Sequence, residues 1–263
     1  MDPADWALVG GAGLAAGAVN AIAGGGTLIT FPALLAVGLP PVVANITSSV
    51  GLVAGYAGGS LGYRRELAGQ GARVRALVPV AVVGGLAGAV VLLVTPAEAF
   101  RVAVPFLVLL ACGLLAAQPR LARIVADRRA AREAEAPEGA TATAADTGWD
   151  VRAGVLVSSV YGSYFGAGLG VLLLGVLGVL VKDGLQRLNA LKGLLSLIVN
   201  AVGVAVFVFS GRVEWPVAIV LGVAAWVGGL LGVRLARVLP AKVLRIAVVL
   251  LGVTVAVVLL VRG

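Results

Sequence analysis

The sequence predicts an all-α polytopic membrane protein, built as two inverted repeats of about five helical segments each, four longer and one short, with Gly-rich helix breaks. Three observations predict it. The 263 residues are 60% hydrophobic and only 12% charged, with a mean hydropathy of +1.09; soluble domains carry about 25% charged residues. A globule of this size has too much boundary to hide that much apolar surface, so lipid must serve as solvent. The apolar residues are gathered into runs separated by short charged loops. The two halves of the chain also match each other at one constant offset.

The elements follow in order. Apolar segments cover 6–23, 27–39, 42–62, 76–94 and 99–117. A stretch rich in Arg, Glu, Ala and Thr then runs from Gln118 to Asp150, with helical character through 120–136. Apolar segments resume at 151–165, 171–181, 188–210, 215–235 and 243–261. A full span needs about 20 residues. Three segments in each half reach or approach that length; 27–39 and 171–181 are too short to cross upright alone. The expected organisation is a first transmembrane repeat at 1–118, a cytoplasmic polar linker at 119–150 and a second repeat at 151–263. Trp6, Trp149, Trp215 and Tyr63 lie near segment ends, as interfacial anchors do. The acidic amino terminus, Met1 to Trp6, lacks the positive region of a signal peptide, so the first segment is expected to stay in the protein.

Adding 144 carries Gly24 to Gly168, Gly26 to Gly170, Asn45 to Asn189, Pro96 to Pro240 and Arg101 to Arg245. It also carries Gly84-Gly85-Leu86-x-Gly88 onto Gly228-Gly229-Leu230-x-Gly232. Glycine matches are cheap in this composition; Asn, Pro and Arg in one ungapped register are not. Charge sets the relative orientation. Arg64, Arg65, Arg73 and Arg75 crowd one first-half loop, whereas the equivalent second-half window holds only Arg212. Conversely, Lys182 and Arg187, and then Arg234, Arg237, Lys242 and Arg245, crowd windows whose first-half equivalents are nearly free of charge. Basic loops face the cytoplasm, so equivalent loops lie on opposite sides, as inverted repeats require. Two parallel four-span halves with scattered charge are the alternative.

Several function classes are excluded. There is no His and a single Cys, Cys112, so no internal disulfide, usual zinc site or Ser–His machinery can form. No enzyme activity, metal or cofactor is expected. The net charge of +8 sits in loops and orients the chain in a bilayer; no nucleic-acid partner is implied. All twelve acidic residues lie in the terminus, loops or linker, which disfavours cation transport.

Chemistry is expected at the glycine breaks. Asn20-Ala-Ile-Ala-Gly24-Gly25-Gly26-Thr27 interrupts a helix, and Phe165-Gly166-Ala167-Gly168-Leu169-Gly170 repeats the device. Broken backbone survives at membrane depth only under cover of protein or a water-filled cavity. Each restarted helix, at Thr27 and near Val171, offers free N–H groups and a positive dipole end to an anion. The third segment of each half adds polar side chains: Asn45, Ser48 and Ser49 in one, Asn189 and Lys192 in the other. Positions three apart share a helix face, so each half presents an Asn beside a second polar group. Lys192 is set deep in an apolar segment, where it either neutralises a solute or snorkels back to the interface. Asn20 and Asn200 serve either the pocket or helix–helix contacts. The candidate substrate-binding set is Gly25, Gly26, Thr27, Asn45, Ser48, Ser49, Gly168, Gly170, Asn189 and Lys192.

The residues of 17–35 and 41–48, and of 161–170 and 186–192, resemble the TauE/SafE family of sulfite-exporter-like permeases. The resemblance covers nearly the whole chain outside 118–150. It implies a prokaryotic inner-membrane carrier of sulfite, sulfonates such as sulfoacetate, or related organosulfur anions, with about eight spans when short helices are not counted separately. The reading is a secondary transporter that binds a small anion between the repeats and works by alternating access. The rivals are a non-transporting structural subunit and a passive anion channel. The implied partners are a small anionic solute and the lipid bilayer; a coupling ion and a homo-oligomer stay open.

Overall fold

The computed structural model describes residues 1–22, 25–62, 66–135, 147–181, 183–235 and 241–262. Gly24, Arg64, Arg65, Lys182, Arg237, Pro240 and the second part of the linker lie outside them. The described elements are all helices: α1 (Pro3–Ile22), α2 (Thr27–Ala36), α3 (Pro41–Gly62), α4 (Gly71–Val94), α5 (Ala97–Glu135), α6 (Trp149–Tyr164), α7 (Leu169–Leu180), α8 (Leu185–Val208), α9 (Trp215–Leu235) and α10 (Ala241–Arg262). The all-α membrane architecture read from the apolar runs is what the chain adopts.

Helix ends follow local chemistry. Gly38, at φ +89°, lets Leu39 N–H turn back to Leu34 O and stops α2; Pro41 then opens α3. The 10 residues of α2 and 12 of α7 reach about 15 and 18 Å, half the hydrocarbon thickness. Among the described residues, Gly71–Val94, Ala97–Ile124 and Gln186–Val208 are long and apolar enough to cross a membrane. α5 runs on as one helix from that apolar part into the polar linker as far as Glu135. Val83, Leu86 and Val90 of α4, and Ile219, Val223, Trp226 and Leu230 of α9, recur at helical spacing and stay exposed. That exposed apolar face suits a bilayer.

The two halves interlock. α1 packs along α9 and α4 along α6; α3 packs on α9 and α8 on α4; α2 meets α10 and α7 meets α5. The 144-residue offset carries each first contact onto the second: α1 with α9 onto α6 with α4, α3 with α9 onto α8 with α4, and α2 with α10 onto α7 with α5. The closest crossings use glycine because a methyl group has no room. A Cβ on Gly17 would lie 2.0 Å from Ala225 O, one on Gly228 would lie 2.1 Å from Leu14 O, and one on Gly88 would lie 2.2 Å from Val160 O.

Helices matched by the offset touch each other in two places. On α5 and α10, Gln118 Oε1 accepts from Arg245 Nε at 3.3 Å, the Cys112 thiol meets Val249 O at 3.8 Å, and Val108 lies beside Gly252. Numbers rise along one helix and fall along the other, so the two run antiparallel. On α3 and α8, the connection leaving α3 meets the start of α8, where Gln70 Nε2 donates to Arg187 O at 3.0 Å. Near the other end, Thr47 Oγ1 accepts from Glu214 N at 3.1 Å, just past α8. This pair is antiparallel too.

A charged clasp joins the halves at the face where α3 ends and α8 begins. Arg73 of α4 pairs with Asp183, which also takes Arg187 Nε at 2.9 Å; Arg187 Nη1 donates to Ala68 O at 3.0 Å. Burial alone would push the Asp183 carboxyl up. Hydrogen bonds from Arg187, from Gly184 N–H and from Arg73 outweigh it and hold the group below its ordinary value. On the opposite face, among the described residues, the cross-half hydrogen bonds are weaker ones, Glu214 N–H to Thr47 Oγ1 at 3.1 Å and Arg212 Nη1 to Leu93 O at 3.3 Å.

Candidate functional site

The first break is built by Asn20, Gly25 and Gly26. Gly25 has φ +101°, a left-handed conformation that suits glycine. Gly26 N–H donates to Asn20 Oδ1 at 2.8 Å, and a Cβ on Gly26 would lie 2.7 Å from Ala16 O. α2 restarts at Thr27 with tight turns: Leu28 N–H reaches Gly25 O at 3.0 Å and Ile29 N–H reaches Gly26 O at 2.9 Å. The free N–H groups expected here are therefore largely spent. Short-range bonds of this type satisfy the orphan donors of a helix start. The positive end of the α2 dipole remains, but Gly26, Leu28 and Ile29 do not present bare amides.

The second break runs from Phe165 to Gly168, with φ +84° at both Gly166 and Gly168. Tyr161 donates its hydroxyl to Ala167 O at 2.8 Å, and Val171 N–H caps back to Gly168 O at 3.0 Å. α7 starts at Leu169, two residues before the apolar run that marked it, because the glycines join the first turn.

The breaks meet. A Cβ on Gly166 would lie 3.5 Å from Thr27 Oγ1, and the Phe31 and Phe165 rings stack edge-on with centroids 5.5 Å apart. The Tyr56 hydroxyl of α3 lies beside the Thr27 side chain.

α3 supplies three of the expected side chains. Asn45 is fully buried and its Nδ2 donates to Tyr164 O at 2.9 Å, so it pins α3 to the start of the second break. That leaves Asn45 Oδ1 buried with no partner. Ser48 is also fully buried and shares a 2.5 Å hydrogen bond with the Thr30 hydroxyl of α2. Ser49 donates to Asn45 O at 2.9 Å, back onto its own helix, as Ser commonly does inside helices. The expectation that this segment offers donors is thus narrowed: one Asn45 amide N–H and the Ser49 hydroxyl are occupied, and an acceptor is left over.

α8 supplies the cation. A Cβ on Gly170 would lie 3.8 Å from Lys192 Cδ, so the lysine stem runs over the first turn of α7. Its Nζ donates to Asn189 Oδ1 at 3.2 Å, one turn back along α8. Asn45 therefore touches the residue that opens the second break, and Lys192 covers the residue two past Gly168 that closes it. Asn20, Thr30, Tyr56 and Tyr161 complete the surroundings. Thr30 was legible as Thr27 plus three, one face of α2; the tyrosines carry no sequence signal that separates them from core aromatics.

The chain matches the family model described as sulfite exporter TauE/SafE over residues 9–259. It is 25% identical over 248 residues to the probable membrane transporter protein ORF9 of a Sinorhizobium species, covering 93% of this chain and 88% of that one. It is 26% identical over 244 residues to a probable membrane transporter protein of Haemophilus influenzae, covering 91% and 88%. It is 25% identical over 237 residues to the probable membrane transporter protein YfcA of Escherichia coli K12, covering 90% and 82%. No solved structure matches it.

Proposed function

The chain belongs to the sulfite exporter TauE/SafE family of membrane transporters, and on that premise we propose that it is a secondary permease of small anions. The solute class is sulfite, sulfonates such as sulfoacetate, or related organosulfur anions. It binds where the two breaks meet, near the bilayer midplane of a prokaryotic inner membrane. The observation that carries this reading is the juxtaposition of Thr27 with Gly166, with Lys192 laid across Gly170. Non-helical backbone at membrane depth survives only under cover of protein or beside a water-filled path, and two such breaks meeting between the halves favour the path. A lysine in the same place supplies the counter-charge, which is costly to keep without a use.

The halves are inverted repeats, read as 1–118 and 151–263 with a cytoplasmic linker between them. Support comes from the antiparallel pairing of α3 with α8 and of α5 with α10. The positive ends of α2 and α7 set the field, while Thr27, Asn189 and Lys192 make direct contacts and Ser48 holds α3 on Thr30 of α2. Alternating access is a rocking of one half against the other. The Arg73–Asp183–Arg187 clasp, on the side with more Arg and Lys, must part for the solute to exit inward. Uptake of radiolabelled sulfite, sulfoacetate and taurine into proteoliposomes tests the proposal. It predicts saturable accumulation of at least one anion; accumulation no greater than in protein-free liposomes for all three overturns it.

A further inference from the structure

Asn45 is fully buried at the junction, with its amide committed on one end and open on the other; Asn20 is its counterpart, with Oδ1 taking Gly26 N–H and a buried Nδ2 left as a donor. Asn45 Nδ2 is fixed on Tyr164 O at 2.9 Å, which sets the orientation of the amide, and Oδ1 has no partner. A bare oxyanion cannot satisfy an acceptor; two lone-pair oxygens repel. Leaving such a buried acceptor without a partner is costly, so whatever fills the site is selected for a hydrogen to give. The neighbouring hydroxyls do not provide one: Ser48 donates to Thr30, whose own hydroxyl reaches Gly26 O at 3.4 Å, and Ser49 is turned onto its own helix. At the far end of the same break the chemistry is opposite: the Lys192 stem crosses Gly170, and its ammonium accepts nothing and attracts negative charge.

We infer that the solute carries a hydrogen-bond donor beside its negative group, as a hydroxylated or amino-bearing sulfonate or carboxylate does, and that Asn45 reads that donor. Resting on the anion reading above, the inference names the class of anion. Lys192 holds the charged end and Asn45 Oδ1 accepts from a hydroxyl or ammonium at the other. Anions of the same charge and shape without that hydrogen bind at the lysine end only.

The test uses the full chain in detergent and two monoanions that differ by one hydroxyl, isethionate and ethanesulfonate, titrated by calorimetry. Isethionate is expected to bind about fivefold tighter, the scale of one added hydrogen bond. Asn45→Leu, which keeps the bulk and removes both the acceptor and the bond to Tyr164 O, is expected to erase that difference. Equal Kd values for the two anions in the wild-type protein overturn the inference, because a water then serves Oδ1 in both complexes. A preference that survives in Asn45→Leu overturns it as well. If neither anion binds the wild-type protein, this inference is overturned, while the anion reading stands or falls on the flux assay with sulfite, sulfoacetate and taurine. The wild-type comparison needs no variant, so it decides the question even where Asn45→Leu does not fold.

Discussion

Lys192, Asn45 and Ser48 stood out in the sequence because a polar side chain in an apolar run must have a use or a partner. That logic located all three around the broken helices but could not say which atom would be left over. Whether an Asn gives its N–H or its oxygen depends on a neighbour that the fold supplies, here Tyr164 O from another helix, 119 residues away. Ser49 lost its candidate role for a local reason, a bond to the carbonyl four residues back. At this scale the sharpest expectation concerns Lys192. A charge-assisted contact is worth about 1.5–3 kcal/mol, so Lys192→Ala should weaken solute affinity roughly ten- to hundredfold, read as KM for uptake. Arg101→Ala should leave KM unchanged, since Arg101 is half exposed and its 3.3 Å pair with Glu98 is a surface contact of little value. Equal effects from the two would make Lys192 a snorkelling residue.

Most helix ends were legible to within about three residues, because membrane segments are delimited by hydrocarbon thickness and by Gly, Pro and charge; α4 begins earlier, at Gly71, and α5 runs on to Glu135. The duplicated glycine motifs were legible as a repeat, but their partners were not: α4 packs on α6 and α1 on α9, so each half is closed by the other. Which glycines matter is a matter of measured space. A Cβ on Gly88 meets Val160 O at 2.2 Å, whereas one on Gly113 meets nothing within 4 Å. Gly88→Ala should cost about 1–3 kcal/mol by overpacking, and Gly113→Ala should gain about 0.5–1 kcal/mol from helix propensity, both read by thermal unfolding in detergent. Asp183 gives a pH expectation for the loop that joins α7 to α8. Its carboxyl is held below its ordinary value, so it contributes stability above the unfolded value near 3.8 and loses it as pH falls through the folded value. Unfolding temperature in wild type should therefore drop more steeply than in Asp183→Asn as pH is lowered through and below that point.

Across the whole molecule, the halves are fastened unequally. Two arginines grip one carboxylate on one face, while a neutral hydroxyl and an exposed arginine serve the other. Charge counting in the loops anticipated which ends are basic; it could not reveal that Arg73 and Arg187 converge on Asp183, because that depends on the two halves interlocking. If rocking opens the clasp, then a reducible bis-methanethiosulfonate cross-link, long enough to replace the Arg187 side chain, between cysteines placed at Ala68 and Arg187, with Cys112 replaced by Ala, should stop flux until a reductant is added. The measurement that goes to the heart of the transporter reading is counterflow. Proteoliposomes preloaded with an unlabelled transported anion, such as sulfite, are diluted into trace labelled anion. A carrier with one site exposed alternately to each side gives a transient overshoot of internal label above its final level, abolished by that bridge and restored on reduction. Monotonic equilibration without overshoot, or an overshoot indifferent to the bridge, means that the two halves do not alternate around a shared site.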